Sequence, residues 1–278
     1  MKTGLVLEGG GVRGIYTAGV LDVFMERGLD FDGVIGVSAG AIHGVSYLSG
    51  QMGRSIRYYR KYLKDPRFFS LQSWIRTGDI AGADFCYREL PEKLDVYDNE
   101  AFMKRQTPFY AVLTNVITGK PEYIRLTDMN AQIDYIRASA SLPYFSKIVE
   151  VNGAKYLDGG VSDAIPICAF RSMGYEKNVV VLTREKGYRK QAGSAFPPKL
   201  CYSAYPRFRD ALIGRHEAYN RALDEIDSLK QTGSVFVIQP DTPLRVKRLE
   251  KNVNRMNEAY ERGRNDALRL MEPLLHWL

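Results

Sequence analysis

The sequence predicts an α/β layered fold, and three observations carry that reading. Short apolar runs of strand length alternate with longer segments whose apolar residues recur every three or four positions. Two of the runs pass straight into glycine-rich turns that open helical segments. Gly4-Leu5-Val6-Leu7 leads into Glu8-Gly9-Gly10-Gly11-Val12-Arg13-Gly14, and Val34-Ile35 leads into Gly36-Val37-Ser38-Ala39-Gly40. A chain of 278 residues, 45% of them hydrophobic, is also long enough to bury one large core.

Taken in order, strands are expected over about 3–8, 33–37, 108–116, 122–126, 178–183 and 234–238. Helices are expected near 12–28, 39–64, 130–140, 166–173, 200–230 and 245–272. The first helix carries Ile15, Val20, Leu21, Phe24 and Met25 at helical spacing and meets a stop signal at Gly28. Lys147-Ile148-Val149-Glu150-Val151 turns at Asn152-Gly153 into Ala154-Lys155-Tyr156-Leu157, a hairpin that delivers Asp158-Gly159-Gly160. Lys186 to Lys199, containing Pro197-Pro198, reads as a surface loop. The candidate chemical groups come from near positions 10, 38 and 158, so any boundary between them would split the site. Residues 1–278 are therefore read as one catalytic domain, with a mostly helical C-terminal part over 200–278.

Ser38 lies between Gly36 and Gly40 at the expected end of a strand. On a sharp strand-to-helix turn a side chain two residues before or after the serine would strike neighbouring backbone, and glycine removes both collisions. The following helix start favours negative charge developing on the hydroxyl. Taken alone, the pattern also suits a plain turn. Gly9, Gly10 and Gly11, just ahead of a helix, leave backbone N–H groups unshielded and able to converge on an anion or on a carbonyl oxygen gaining charge.

Gly9, Gly11 and Gly14 also spell the G-x-G-x-x-G of dinucleotide-binding folds, with Asp30 or Asp32 near the distance of a ribose-binding acid. Both acids precede the second strand, whereas that motif needs its acid at the strand's end.

A serine needs a proton acceptor, and the chain has only three histidines, His43, His216 and His276. His43 follows Ser38 by about a turn and a half of the same helix, so its ring should point away, and the other two read as surface or terminal residues. A carboxylate is the stronger candidate. Asp158 closes the hairpin, its two following glycines would let the serine loop approach, and partial burial would raise its basicity. A simple Asp-Gly turn is the plain alternative.

These three elements, in this order, resemble the patatin-like phospholipases, whose signature joins a glycine-rich oxyanion loop with Arg, a G-x-S-x-G elbow and a D-G-[AG] acid. Ala138-Ser139-Ala140-Ser141-Leu142-Pro143 is similar to the family's A-S-x-x-x-P segment, and Asp163 with Pro166 to the stretch after its acid. The likeness covers about residues 1–185. It departs at Glu8, where many members carry another residue.

The resemblance implies a three-layer α/β/α fold with a mainly parallel sheet and a nucleophile elbow, and a Ser38–Asp158 dyad that works without histidine. Gly9, Gly10 and Gly11 would hold the oxyanion, supported by Val12, Arg13, Gly14, Gly36, Gly40, Gly159 and Gly160. It further implies a fatty-acyl ester such as a phospholipid as substrate. In that reading the stretch Asp65 to Asn99, which mixes Phe68, Phe69, Trp74, Ile75 and Phe85 with charges, forms a cap or acyl-chain channel; otherwise it is a long connection packed on the core. A catalytically silent lipid-binding or regulatory relative and a nucleotide-binding α/β protein are the alternatives.

The net charge of +7 points to anionic partners. Basic residues gather at Arg54, Arg57, Arg60, Lys61 and Lys64, interleaved with Tyr58, Tyr59 and Tyr62, and again between Arg245 and Arg269 ahead of Leu268, Leu270, Met271, Leu274, Leu275 and Trp277. Either helix would suit peripheral contact with anionic lipid headgroups, or simply form a solvated face. No nucleic-acid motif accompanies the charge. Cys86, Cys168 and Cys201 are too few and too scattered for a disulfide framework or a zinc site and read as reduced, mostly structural thiols. Neither metal nor organic cofactor is expected. With no signal peptide and no run of membrane-spanning length, a cytoplasmic enzyme, peripheral at most on the inner membrane surface, is the expectation.

Overall fold

A computed structural model describes residues 1–193, 201–247 and 249–278 of the chain. The Pro197-Pro198 part of the expected 186–199 loop lies outside these residues. Among the described residues eight strands form one sheet: β1 (Thr3–Leu7), β2 (Gly33–Val37), β3 (Phe109–Asn115), β4 (Pro121–Leu126), β5 (Val149–Val151), β6 (Ala154–Asp158), β7 (Lys177–Val181) and β8 (Val235–Ile238). Their order is β5-β6-β3-β2-β1-β7-β8, with β4 also paired to β3. From β3 across to β8 every pairing is parallel, and β4, β5 and β6 add antiparallel pairings at the other end.

The parallel strands are buried on both faces, which is why they read as unbroken apolar runs. Along β1, Leu5 and Leu7 pack into one layer and Val6 into the opposite one, as the pleat requires. The described α-helices are α1 (Ile15–Glu26), α2 (Ala39–Leu48), α3 (Arg54–Tyr62), α4 (Leu71–Thr77), α5 (Asn99–Arg105), α6 (Met129–Ser139), α7 (Ile167–Ser172), α8 (Pro206–Gln231) and α9 (Val253–Trp277). Residues of α1, α2 and α9 cover the Leu5 face, and residues of α7 and α8 cover the Val6 face. The α/β layered expectation is met, with helices on both sides of the sheet.

Several element boundaries differ from the sequence reading. The helix expected over 39–64 is two helices, because the chain turns through Gly50 and Gly53, which have φ of 68° and 69° and leave the right-handed helical region at little cost. The helix expected from residue 12 starts as a 3₁₀ turn, Gly11–Gly14, before α1. The helix expected from 245 begins at Val253, where the Asn252 side chain accepts the N–H groups of Asn254 and Arg255. The stretch Asp65 to Asn99 holds α4 and a π-helix, Phe85–Leu94, that contains Pro91. Cys86 is half-buried and donates to the Phe68 carbonyl, whereas Cys168 and Cys201 are exposed, so a structural role for the thiols survives only at Cys86.

The C-terminal helix is locked to the first. A Cβ on Gly19 would lie 2.2 Å from the Tyr260 carbonyl oxygen, and one on Gly263 2.0 Å from that of Tyr16, so the two backbones touch where neither carries a side chain. Tyr16 donates to Asp266 at 2.9 Å and Tyr260 donates to Asp22 at 2.6 Å, which satisfies two buried carboxylates across the same seam. The helix that leaves the glycine loop is thereby held by the last helix of the chain.

Candidate active site

Strand β3 brings the serine and the acid together. Its residues 111 and 112 pair with both β2 and β4, and residues 113 and 114 with both β4 and β6. A strand has two edges, so β2 and β6 must share the edge opposite β4, end to end. Val37 pairs with Val112 and Asp158 with Leu113, consecutive positions of the same strand. Ser38, one residue past Val37, consequently meets Asp158, and Ser38 Oγ donates to Asp158 Oδ2 at 2.7 Å.

Ser38 has φ 54° and ψ −119°, a backbone conformation that costs an L-residue energy and that the surrounding contacts enforce. A Cβ on Gly36 would lie 2.7 Å from the Ala41 nitrogen, and one on Gly40 2.4 Å from the Leu7 carbonyl oxygen, so both elbow glycines are required by close backbone approach. The Ser38 N–H donates to Ser139 Oγ at 2.9 Å, and Ser139 Oγ donates to the Val112 carbonyl at 2.7 Å. Ser139 is fully buried.

Asp158 is fixed from three sides. Gly160 N–H donates to Asp158 Oδ1 at 2.7 Å, the Asp158 N–H donates to the Ser141 carbonyl at 2.9 Å, and Thr114 Oγ1 donates to the Asp158 carbonyl at 2.9 Å. The two glycines after the acid do not serve the serine loop as expected. Gly159 is needed because a Cβ there would sit 2.1 Å from the Val112 carbonyl oxygen, which is β3, and Gly160 supplies an N–H that aims the carboxylate. The close approach to the serine is made by Gly9, whose added Cβ would lie 3.1 Å from Ser38 Cβ.

The glycine loop follows β1. Gly11 has φ 57°, a position suited to glycine, and Val12 inserts into the core. Gly14 packs on the elbow helix, where an added Cβ would lie 2.5 Å from Ala39 Cβ. Glu8, whose role the sequence left open, anchors the loop from beneath. It is 2% exposed, and its carboxylate accepts from the Thr183 N–H, from Thr183 Oγ1 at 3.0 Å and from the Tyr219 hydroxyl at 2.7 Å. Burial, then the neighbouring Glu8 charge, pushes the Tyr219 hydroxyl far above its ordinary range, so it stays protonated and remains a donor.

Two cavities meet at Ser38. One, of about 490 Å³, is lined by apolar groups including Ile42, Phe68, Phe69, Leu90, Ile133 and Leu142, with Gly11 and Ser38 in its wall. The other, of about 370 Å³, is lined by Gly9, Gly10, Arg13, Ser38 and Asp158 together with residues from the segment after β7 and from α8. Both volumes fall in the range of about 300–1,000 Å³ typical of small-molecule sites. Part of the expected 65–99 stretch thus walls an apolar cavity beside the serine.

Residues 5–171 match the family model described as patatin-like phospholipase. The chain belongs to the patatin-like phospholipase family. Residues 205–278 match a second model, a domain of unknown function (DUF6363). Among relatives, the "Uncharacterized protein YjjU" of Escherichia coli is 30% identical over 270 residues, which cover 95% of this chain and 75% of that protein. Lysophospholipase NTE1 of Saccharomyces cerevisiae is 30% identical over 176 residues, 62% of this chain but only 10% of NTE1. Among solved structures, VipD from Legionella pneumophila aligns with a TM-score of 0.48 at 15% identity, over 98% of this chain and 67% of that one.

In this patatin-like chain Ser38 Oγ donates to Asp158, and the Nδ1 of each histidine contacts another group. His43 Nδ1 lies 2.9 Å from Ser55 Oγ, and burial lowers its pKa to about 3, which keeps the ring neutral. His216 and His276 turn toward the carbonyls of Ile213 and Glu272 on their own helices. The acids of the nucleotide reading are also engaged elsewhere. Asp32 accepts from the Thr3 N–H and hydroxyl at the start of β1, the end of the strand opposite the glycine loop, and Asp30 pairs with Arg105.

The basic helices need a correction. Tyr58, Tyr59 and Tyr62 of α3 are buried, as are Met271 and Leu274 of α9, so none of them can reach a lipid surface. Arg54 is buried and paired with Asp95; Arg57 also pairs with Asp95, and Arg264 pairs with Glu26. Lys61, Lys64, Leu268 and Leu275 remain exposed. Among the described residues no helix is long and apolar enough to cross a membrane.

Proposed function

We propose that the chain is a serine lipid acyl hydrolase of the phospholipase, lysophospholipase or esterase type, with patatin-like core and C-terminal helices working as one catalytic unit. The observation that carries this reading is the 2.7 Å contact of Ser38 Oγ with Asp158 Oδ2 on a strained elbow beside an apolar cavity. The name of one relative, lysophospholipase NTE1, agrees with a lipid ester as substrate.

In the proposed reaction the acyl chain occupies the apolar cavity and Ser38 Oγ attacks the ester carbonyl while Asp158 takes its proton. The Ser38–acyl bond forms, the bond to the alcohol breaks, and the proton passes from Asp158 to the departing alkoxide oxygen. N–H groups of the Gly9–Gly11 loop hold the oxyanion, and Glu8 keeps that loop in place. Water, deprotonated by Asp158, then releases the fatty acid and restores the serine. Contact with a membrane surface in the cytoplasm, through exposed basic side chains such as Lys61 and Lys64, belongs to the same proposal.

A fluorophosphonate probe tests it. Ser38 is expected to be labelled, and Ser38→Ala and Asp158→Asn are each expected to lower p-nitrophenyl ester turnover by more than about a hundredfold. Unchanged turnover in either variant would refute the dyad, and a folded protein that binds lipid without labelling would be a silent relative.

A further inference from the structure

The second cavity at Ser38 is a cationic basin. Among the described residues its lining includes Arg13, Arg184, Arg189, Lys190 and Arg215, against two carboxylates, Glu8 and Asp158. Glu8 is already engaged by Thr183 and Tyr219, and Asp158 by Ser38 and Gly160. With Arg189 matched by Asp224, the remaining cationic side chains of this lining still outnumber its two carboxylates, so the basin presents a net positive charge to anything that enters it.

Its position follows from the fold. Arg184 comes three residues after β7 ends, at the carboxyl edge of the parallel strands, where open α/β sheets place their ligands. The preceding residue, Thr183, binds Glu8 and packs on the glycine loop, since a Cβ on Gly10 would lie 2.8 Å from Thr183 Oγ1. Arg184 is thus held next to the loop that flanks Ser38. Its guanidinium lies 4.3 Å from the Tyr188 ring centroid, and the Lys190 ammonium 4.8 Å from that of Tyr219, so each cation rests against an aromatic ring that also lines the basin. Arg189 is held by Asp224 on α8. Among the described residues only Ser38 lines both this basin and the apolar cavity, so a molecule with an acyl tail in one and a charged group in the other has its ester bond at the serine.

We infer that the cationic basin binds a phosphate-bearing, net-negative head group on the leaving alcohol of the acyl ester, with Arg184 as a principal contact. This rests on the reading of Ser38 as the nucleophile, but the binding it requires does not depend on turnover. The Ser38→Ala protein, which cannot consume its ligand, is titrated with 1-dodecanoyl lysophosphatidylglycerol, with 1-dodecanoylglycerol, both below their micellisation concentrations, and with inorganic phosphate alone. At least tenfold tighter binding of the anionic lipid than of the neutral one is expected, shrinking as salt is raised. Adding Arg184→Glu should cut that ratio below threefold, whereas Arg184→Lys should retain most of it, with the melting transition as the check on folding. Equal affinity for the two lipids, a ratio untouched by Arg184→Glu, or inorganic phosphate binding as tightly as the anionic lipid would each overturn the inference. An intact ratio in a protein whose Ser38 takes no fluorophosphonate would uphold the basin and fault the hydrolase reading alone.

Discussion

The Ser139 hydroxyl accepts the backbone N–H of Ser38 at 2.9 Å while donating its own proton to Val112 of β3 at 2.7 Å. Ser139 touches no cavity described above, yet it ties the elbow to the strand against which Asp158 is registered. Ser139→Ala strands a buried N–H and a buried carbonyl, which costs about 1–3 kcal/mol for each unsatisfied group. The expected outcome is a lower urea midpoint together with a drop in ester turnover of about ten- to a hundredfold, since small misplacements of a reacting atom are expensive.

We propose that the seam between α1 and α9 makes the C-terminal segment part of the same folded unit. Gly263→Val puts a side chain where 2.0 Å separates an added Cβ from the Tyr16 carbonyl oxygen, so the helices must part. Overpacking of this kind costs about 1–3 kcal/mol or more. A fall in melting temperature with a single transition is expected; two separate transitions would show that the segments fold independently.

Asp163 makes stability depend on pH. Burial lifts its carboxyl from 3.8 to about 6, against the opposing pull of the Tyr123 hydroxyl and the Ile165 N–H, which donate to the charged form. The folded protein holds this proton more tightly than the unfolded chain does. Its contribution is therefore fully present below about pH 4 and is lost as pH rises through about 6. Asp163→Asn keeps one side-chain acceptor oxygen and removes the charge. In urea denaturation the variant should exceed the parent by up to about 3 kcal/mol at pH 7 and match it closely at pH 4.

The apolar cavity predicts chain-length selectivity. Ile133, on α6, lines it beside Leu142 and Phe69. Ile133→Trp fills part of the space, and turnover of a hexadecanoyl p-nitrophenyl ester should fall about tenfold more than turnover of a butanoyl ester. Equal losses on both esters would place the acyl chain elsewhere.

What could be read from the sequence shares a physical property: its cause is local. Gly36, Gly40 and the Gly9–Gly11 run announce themselves because close backbone approach, or a φ of 57° as at Gly11, excludes most other residues. Asn152-Gly153 marks the hairpin for the same reason, with φ of 51° and 77°. Unbroken apolar runs betray strands buried on both faces. The π-helix gave no comparable signal, because it contains Pro91 and several of its residues, Cys86, Tyr87 and Leu90 among them, line the apolar cavity.

By itself the sequence determined an α/β layering, the glycine turns, and a serine and an acid each at the end of a strand. Only the tertiary structure decided that β2 and β6 abut along one edge of β3, which brings side chains 120 positions apart to 2.7 Å. It alone decided that Ser139 supports the elbow, that Thr183 and Tyr219 hold Glu8, that Gly159 answers to β3, and that the α3 tyrosines turn inward. Each of these depends on which strand edge or helix face a distant segment meets, and a serine, threonine or tyrosine carries no mark of its partner until packing supplies one.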